Sequence, residues 1–266
     1  MKEGIKKLRK MVFRNNPTLQ DLLDIKDKSV LLTGPSPPNT EEKSNSNNHD
    51  IVISFNTAIE YADKIFKNEI KTFGNRIDII YLSTSCEAQY FRNLKGFWKD
   101  VKIKPKVVRL MGPVSFPHGP LLDHQYSNVI KSYKKRFIDS GLNIDPYYNY
   151  DVYNVLTKLL TKHNFIKNKL QISVVPRVGT VALFEILLYQ PRSIEIKNMT
   201  FYHGGTNIFR KDNTPEPFKP KKHNDGTPST WHDSILELLL LKQMMQDFNI
   251  KVDSQLENIL KENYIS

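Results

Sequence analysis

The sequence predicts an α/β domain built on a mostly parallel, doubly wound sheet, with helices on both faces and a small lid. Three observations predict it. Short apolar runs of strand length alternate with longer runs of helical periodicity, the order that generates parallel sheets. Several of these runs end on a small or polar turn residue: Gly34, Asn56, Ser83. A strand–turn–helix–strand unit spans residues 172–196, with Pro176-Arg177-Val178-Gly179-Thr180 forming a glycine turn at the start of its helix.

The elements follow in chain order. Residues 1–20 are a basic N-terminal segment. Within it Ile5, Leu8, Met11 and Val12 give residues 1–15 the pattern of an amphipathic helix, packed on the domain or laid on an anionic membrane surface. Residues 29–32 are a buried-strand run ending at Thr33-Gly34-Pro35-Ser36, and residues 39–50 are polar and read as a mobile loop. Residues 51–55 form a second strand, residues 77–82 a third and residues 107–111 a further one. Residues 112–120, rich in Pro, Gly and His, are a loop, and residues 128–138 and 152–163 read as helices. Residues 172–175 are a strand entering the glycine turn, residues 181–189 an apolar helical run and residues 193–196 a strand. Residues 209–229, with Pro215, Pro217, Pro220 and Pro228, are the lid. The clearest helix is residues 232–248, with Ile235, Leu236, Leu239, Leu240 and Met244 on one side. Residues 21–266 thus make one Rossmann-like domain. Neither GxGxxG nor GxxxxGK[ST] occurs.

Composition narrows the class. With 39% hydrophobic and 25% charged residues among 266, the chain is an ordinary globular protein with enough length for a sizeable core. No apolar run approaches the roughly 20 residues of a membrane helix, and the first residues lack the apolar core of a secretion signal. The single cysteine, Cys86, excludes an internal disulfide and suits a reducing, intracellular compartment. The net charge of +11 attracts anions: nucleotide, acidic glycan, membrane or nucleic acid. Lys and Arg are scattered, without the alternating aromatics of a nucleic-acid module. The seven histidines form no HExxH and no Cys/His cluster, so no metal site is expected.

Ligands of such sheets bind beyond the carboxyl ends of the strands, and a glycine turn opening a helix offers free N–H groups and a favourable dipole to an anion. Gly34, Pro35, Ser36, Asn56, Ser83, Gly179 and Thr180 are therefore expected at one nucleotide-binding crevice. Asn56 and Ser83 serve equally well as local strand-end caps, and the glycines as tight turns.

These pieces, in this order, resemble the sialyltransferases that use CMP-activated sugars, both the bacterial lipooligosaccharide family and the animal Golgi family. Thr33-Gly34-Pro35-Ser36 resembles the glycine–proline–serine turn after the first strand. Ile53-Ser54-Phe55-Asn56 resembles the strand ending in Arg-x-Asn, and Gly74-Asn75-Arg76-Ile77-Asp78 the Gly-x-Arg-Thr-Asp element. Pro176 to Gly179 resembles the small motif, Phe201-Tyr202 the aromatic end of that unit, and His232 with Glu237 the animal family's His-x4-Glu. The chain departs from the pattern at Ser54, where an Arg is usual, and at Arg177-Val178, where a small hydroxyl pair is usual. The second phosphate-contacting Tyr of the bacterial enzymes falls near Ile208 or Phe209.

The resemblance implies a GT-A-like variant of the fold and a metal-independent, inverting glycosyltransferase. Its donor would be a CMP-activated acidic sugar, sialic acid or a Kdo-like acid, and its acceptor a glycan. His232 is the implied base. The positive end of its helix disfavours imidazolium and leaves a neutral ring able to accept a proton; the other reading is a packing histidine beside Trp231. Tyr202 and Arg177 would hold the leaving phosphate, the alternatives being a half-buried aromatic and a surface salt bridge. Glu237 would support the site or stand solvated on its helix, and His203 and His223 would touch phosphate or acceptor. The competing functions are a non-catalytic nucleotide- or sugar-binding relative and a basic nucleic-acid-binding protein.

Overall fold

The structure, a computed structural model, describes residues 9, 23–34, 46–55, 76–83, 104–111, 123–144, 146–148, 152, 155–159, 176–199, 221–222, 228–229 and 234–261. Among the described residues, seven strands form one all-parallel sheet: β1 (Ser29–Thr33), β2 (Ile51–Phe55), β3 (Ile79–Ser83), β4 (Val107–Met111), β5 (Pro146–Tyr148), β6 (Ser193–Lys197) and β9 (Ile250–Val252). Their spatial order is β5-β4-β3-β2-β1-β6-β9. The order reverses between β1 and β6, so this pair is the topological switch point. The α/β, doubly wound fold expected from the sequence is the one found.

The strands form where the sequence is apolar and β-branched. All residues of β1, β2 and β4 are buried, as in strands covered on both faces. β6 alternates, with Ile194 and Ile196 buried and Ser193, Glu195 and Lys197 half-buried. The edge strands β5 and β9 are three residues each, and β5 opens on Pro146, which an edge tolerates because one N–H row is unpaired there.

The described helices include α1 (Asp123–Ser140), α2 (Val178–Leu188), α3 (Ser234–Asp247) and α4 (Ser254–Lys261), and residues 155–159 are helical as well, within the helix expected over 152–163. α2 is buried from Thr180 through Leu188, the mark of a helix inside a layered core. It ends where Gln190 takes a left-handed conformation, φ 58°, and its N–H returns to the Leu187 carbonyl. Asp253 caps α4 by accepting the Leu256 N–H at 2.8 Å.

The structure revises several expectations. Residues 46–48 form a 3-10 turn, and the bend after it is tied to the sheet by His49–Glu195 and Asp50–Ser29 contacts; residues 39–45 lie outside the described residues. The third strand starts at Ile79, because Asp78 is used otherwise. In α3 the buried side chains are Leu236, Glu237, Leu238, Leu241 and Met244, while Leu239 and Leu240 are half-buried. A continuous leucine run does not determine its own inward face. Inside the expected lid, Lys221–Lys222 (β7) and Pro228–Ser229 (β8) pair as an antiparallel ladder. The sequence reading lacked β5, β9 and α4. Residues 172–175 and most of 1–20 and 209–229 lie outside the described residues.

Carboxylates stitch the sheet. At its amino edge Asp78 accepts the Val52 N–H at 2.9 Å, pairs with Arg76 at 3.0 Å and Lys106 at 2.9 Å, and through its backbone joins β2 to the start of β4. The Gly74 to Asp78 element therefore ends in a structural residue on the side of the sheet away from the strand carboxyl ends. In the core, Glu185 of α2 accepts the Tyr81 hydroxyl at 2.9 Å and Arg109 Nε at 3.1 Å, and Arg109 Nη2 closes a second contact with it. Tyr81 and Arg109 are register partners on β3 and β4, so one side chain from α2 meets both. Burial first, then the Glu185 charge, push the Tyr81 phenol well above its usual pKa. Burial opposes the charge on Arg109, but Glu185 more than offsets it and the guanidinium pKa rises.

Glu185→Ala strands a buried guanidinium and should cost about 3–5 kcal/mol in urea unfolding, whereas Glu185→Leu with Arg109→Met should cost far less. Asp50 gives a pH test. Hydrogen bonds from the Ser29 N–H (2.8 Å) and hydroxyl (2.9 Å), aided by Arg192, hold its carboxyl below the usual range. A depressed folded pKa stabilises above the unfolded value and is lost as pH falls through the folded one. Asp50→Asn should thus be less stable than wild type at pH 7, with the gap closing in acid below the usual carboxylate pKa.

Candidate functional site

The carboxyl ends of the parallel strands form one edge of the sheet, and Gly34 follows β1 there. The Gly34 N–H donates to the Lys197 carbonyl of β6 at 2.8 Å, which holds the first turn against the switch point. Beyond β6, Asn198 adopts a left-handed backbone, φ 57°, and delivers Met199 into the same region. A Cβ on Gly34 would overlap the Met199 side chain and the Asn198 carbonyl. A Cβ on Gly179 would fall 2.5 Å from Met199 Cε. The glycines expected at the crevice, 145 positions apart, thus flank one methionine at the edge where a doubly wound sheet places its ligand.

Gly179 lies in the first turn of α2, whose N-cap is Arg177 in extended conformation with no side-chain cap. The capping carboxylate comes from elsewhere. Glu237, in the first turn of α3 and 1% exposed, accepts the Arg177 N–H at 3.2 Å and the Thr180 hydroxyl. Arg177 Nη1 stands 3.4 Å from the same carboxylate, with its side chain 12% exposed. An acidic group at a helix start is favourable, so Glu237 answers the electrostatic demand that the bare turn would present to a ligand. It also fixes the start of α3 to the start of α2.

Of the residues expected at the site, the structure brings together Gly34, Arg177, Gly179, Thr180 and Glu237 around the outer ends of β1, β6 and α2. Arg177 is half-buried and paired with the buried Glu237, so its ion pair is not a surface one. Glu237 is buried rather than solvated on its helix. Ser83 closes β3 on the same edge, paired with Met111. Pro35, Ser36, Asn56, Tyr202, His203, His223 and His232 lie outside the described residues. In the chain His232 precedes the first residue of α3 by two positions. Sequence reasoning missed Met199, Asn198 and Asp253. A glycine's need for close approach was legible, but the side chain that approaches was not. Among the described residues no three His, Cys, Asp or Glu side chains gather as a metal site.

Removing the carboxylate by Glu237→Ala leaves the Thr180 hydroxyl and the Arg177 guanidinium buried without it. Thermal or urea unfolding should show a loss of about 3 kcal/mol, and Glu237→Gln, which keeps an acceptor oxygen, a smaller one.

The sequence matches no protein-family model, and no curated protein sequence matches it. Among solved structures, the chain is similar to the monofunctional alpha-2,3-sialyltransferase Cst-I from Campylobacter jejuni. The alignment has a TM-score of 0.50 and 17% identity and covers 92% of this chain and 82% of that one. The sialyltransferase CstII from the same organism, in complex with the substrate analogue CMP-3FNeuAc, aligns at a TM-score of 0.49 and 14% identity, over 85% of this chain and 79% of that one. At 17% identity the likeness to Cst-I is one of architecture: this chain has an α/β, GT-A-like fold similar to that of a sialyltransferase.

Proposed function

We propose that the protein is a metal-independent, inverting glycosyltransferase that moves a CMP-activated acidic sugar, sialic acid or a Kdo-like acid, onto a glycan. The observation that carries this reading is the meeting of the Gly34 and Gly179 turns on Met199 at the switch point of the sheet. Two further supports are the ordered series of motifs and the likeness in fold to an alpha-2,3-sialyltransferase. The +11 charge suits an anionic donor and an acidic glycan.

The chemistry asks for one base and a set of phosphate donors. His232 takes the proton of an acceptor hydroxyl as that oxygen attacks the anomeric carbon. The bond from that carbon to the phosphate oxygen breaks, and CMP leaves with the electron pair. The Ser36 N–H, the Gly179 and Thr180 N–H groups and the Tyr202 hydroxyl steady the leaving phosphate, since the Gly34 N–H is taken by the Lys197 carbonyl and Pro35 has none. Arg177 adds a positive charge fixed in place by Glu237, which also neutralises part of it. The turns and Tyr202 therefore carry the larger share. Asn56 and Ser83, at the ends of neighbouring strands, address the nucleoside, and His203 and His223 the acceptor.

CMP should raise the melting temperature, because a ligand that binds only the folded state stabilises it by mass action, about 2.7 kcal/mol at 100 times its Kd. Stabilisation by UDP or GDP in place of CMP would overturn the donor class. His232→Ala should keep the CMP shift and lower transfer by a factor of about 10²–10⁴. Transfer in excess EDTA should equal transfer without it.

A further inference from the structure

We infer that Met199 is a positioning residue for nucleotide binding: its thioether sets the separation of the Gly34 and Gly179 turns, and the Asn198–Asp253–Thr33 clasp holds it there. This rests on reading the crevice as a nucleotide site.

Asn198 is a non-glycine residue at φ 57°, a conformation that costs on the order of 1 kcal/mol and persists only where its surroundings enforce it. Here they do. Its N–H donates to Asp253 Oδ2 at 2.6 Å, and its side-chain amide to the Thr33 hydroxyl at 3.3 Å. Asp253 is 7% exposed and is itself locked, since its other oxygen caps α4 and its N–H donates to the Ile196 carbonyl at 3.1 Å. Thr33 is the last residue of β1, immediately before Gly34. One hydrogen-bonded unit therefore joins β1, β6 and α4 and turns the chain so that Met199, 7% exposed, enters between the two glycines.

The packing is specific to the length of methionine. Its Cγ lies against Gly34, and its Cε against Gly179. An unbranched side chain reaches both, whereas any Cβ on either glycine collides with it. Turn position therefore follows from an apolar side chain lodged between the two glycines. A misplacement on the order of 1 Å in a positioning element can cost about a hundredfold in rate.

The test is a double-mutant cycle read by CMP titration at 20 °C, with melting temperatures recorded alongside. Gly179→Ala places a methyl against Met199 Cε and should weaken CMP binding about tenfold. Met199→Leu removes that terminal methyl and should weaken it by a smaller factor. The double variant, in which the alanine methyl fills the space vacated by Cε, should bind within about threefold of wild type. If the two losses simply multiply in the double variant, Met199 does not set the turn and the assignment is overturned. Melting temperatures that fall while the CMP Kd stays at its wild-type value in every variant also overturn it. If no nucleotide among CMP, UDP and GDP binds wild type, the nucleotide reading itself falls and this assignment with it. Where Gly179→Ala alone fails to fold, a double variant that folds and binds CMP within about threefold of wild type supports the assignment, and a double variant that fails as well overturns it.

Discussion

The pairing of β1 with β6 is the constraint on which the rest depends. Five residues, Ser29 to Thr33, run parallel to Ser193 to Lys197, although the two segments are far apart in the chain. Parallel pairing obliges each strand to enter from the same edge, so everything between must return by crossovers over the faces. The reversal of strand order at this pair separates the two crossover sets and leaves a gap beyond the carboxyl ends. Gly34 and Met199 follow the last residues of these strands within two positions, so the register itself delivers them to the gap.

In a chain of net charge +11, buried carboxylates do much of the joining. Glu185 fastens α2 to β3 and β4, Glu237 fastens α3 to the start of α2, and Asp253 fastens α4 to the end of β6. Each pays a desolvation cost that hydrogen bonds and cations must offset. What such bonds add over an apolar contact is direction: a carboxylate with two or three donors admits one relative placement of its elements. α2 is held in this way near both ends, by Glu237 at its first turn and Glu185 in its second half, which fixes its place against the sheet.

The same arrangement qualifies the helix-end account of anion binding. A glycine turn at the start of a helix attracts phosphate because its N–H groups and dipole are unmet. At α2 a carboxylate from α3 meets part of that demand and draws in Arg177 as well. The positive potential offered to a ligand is correspondingly smaller, and because the Gly34 N–H is bonded to Lys197, the hydroxyl donors gain weight in the proposed site.

The layered α/β class was legible because strands buried on both faces must be nearly all apolar. Residues 51–55 and 107–111 emerge with their bounds intact for that reason. Gly34 and Gly179 were legible as places needing close approach, since glycine at a strand end or helix start is costly without cause. The edge strands β5 and β9 escaped because three residues carry no periodicity, and Pro146 speaks against a strand until its place at an edge is known. The buried face of α3 escaped because leucines fill nearly every position, and a partner on α2 selects the rotation. Local patterns report which residues avoid water. Which distant residue fills the space beside a glycine, or answers a buried carboxylate, is decided by long-range packing: Met199 between two turns, Glu185 on Arg109, Glu237 at the head of a helix 57 residues before it in the chain.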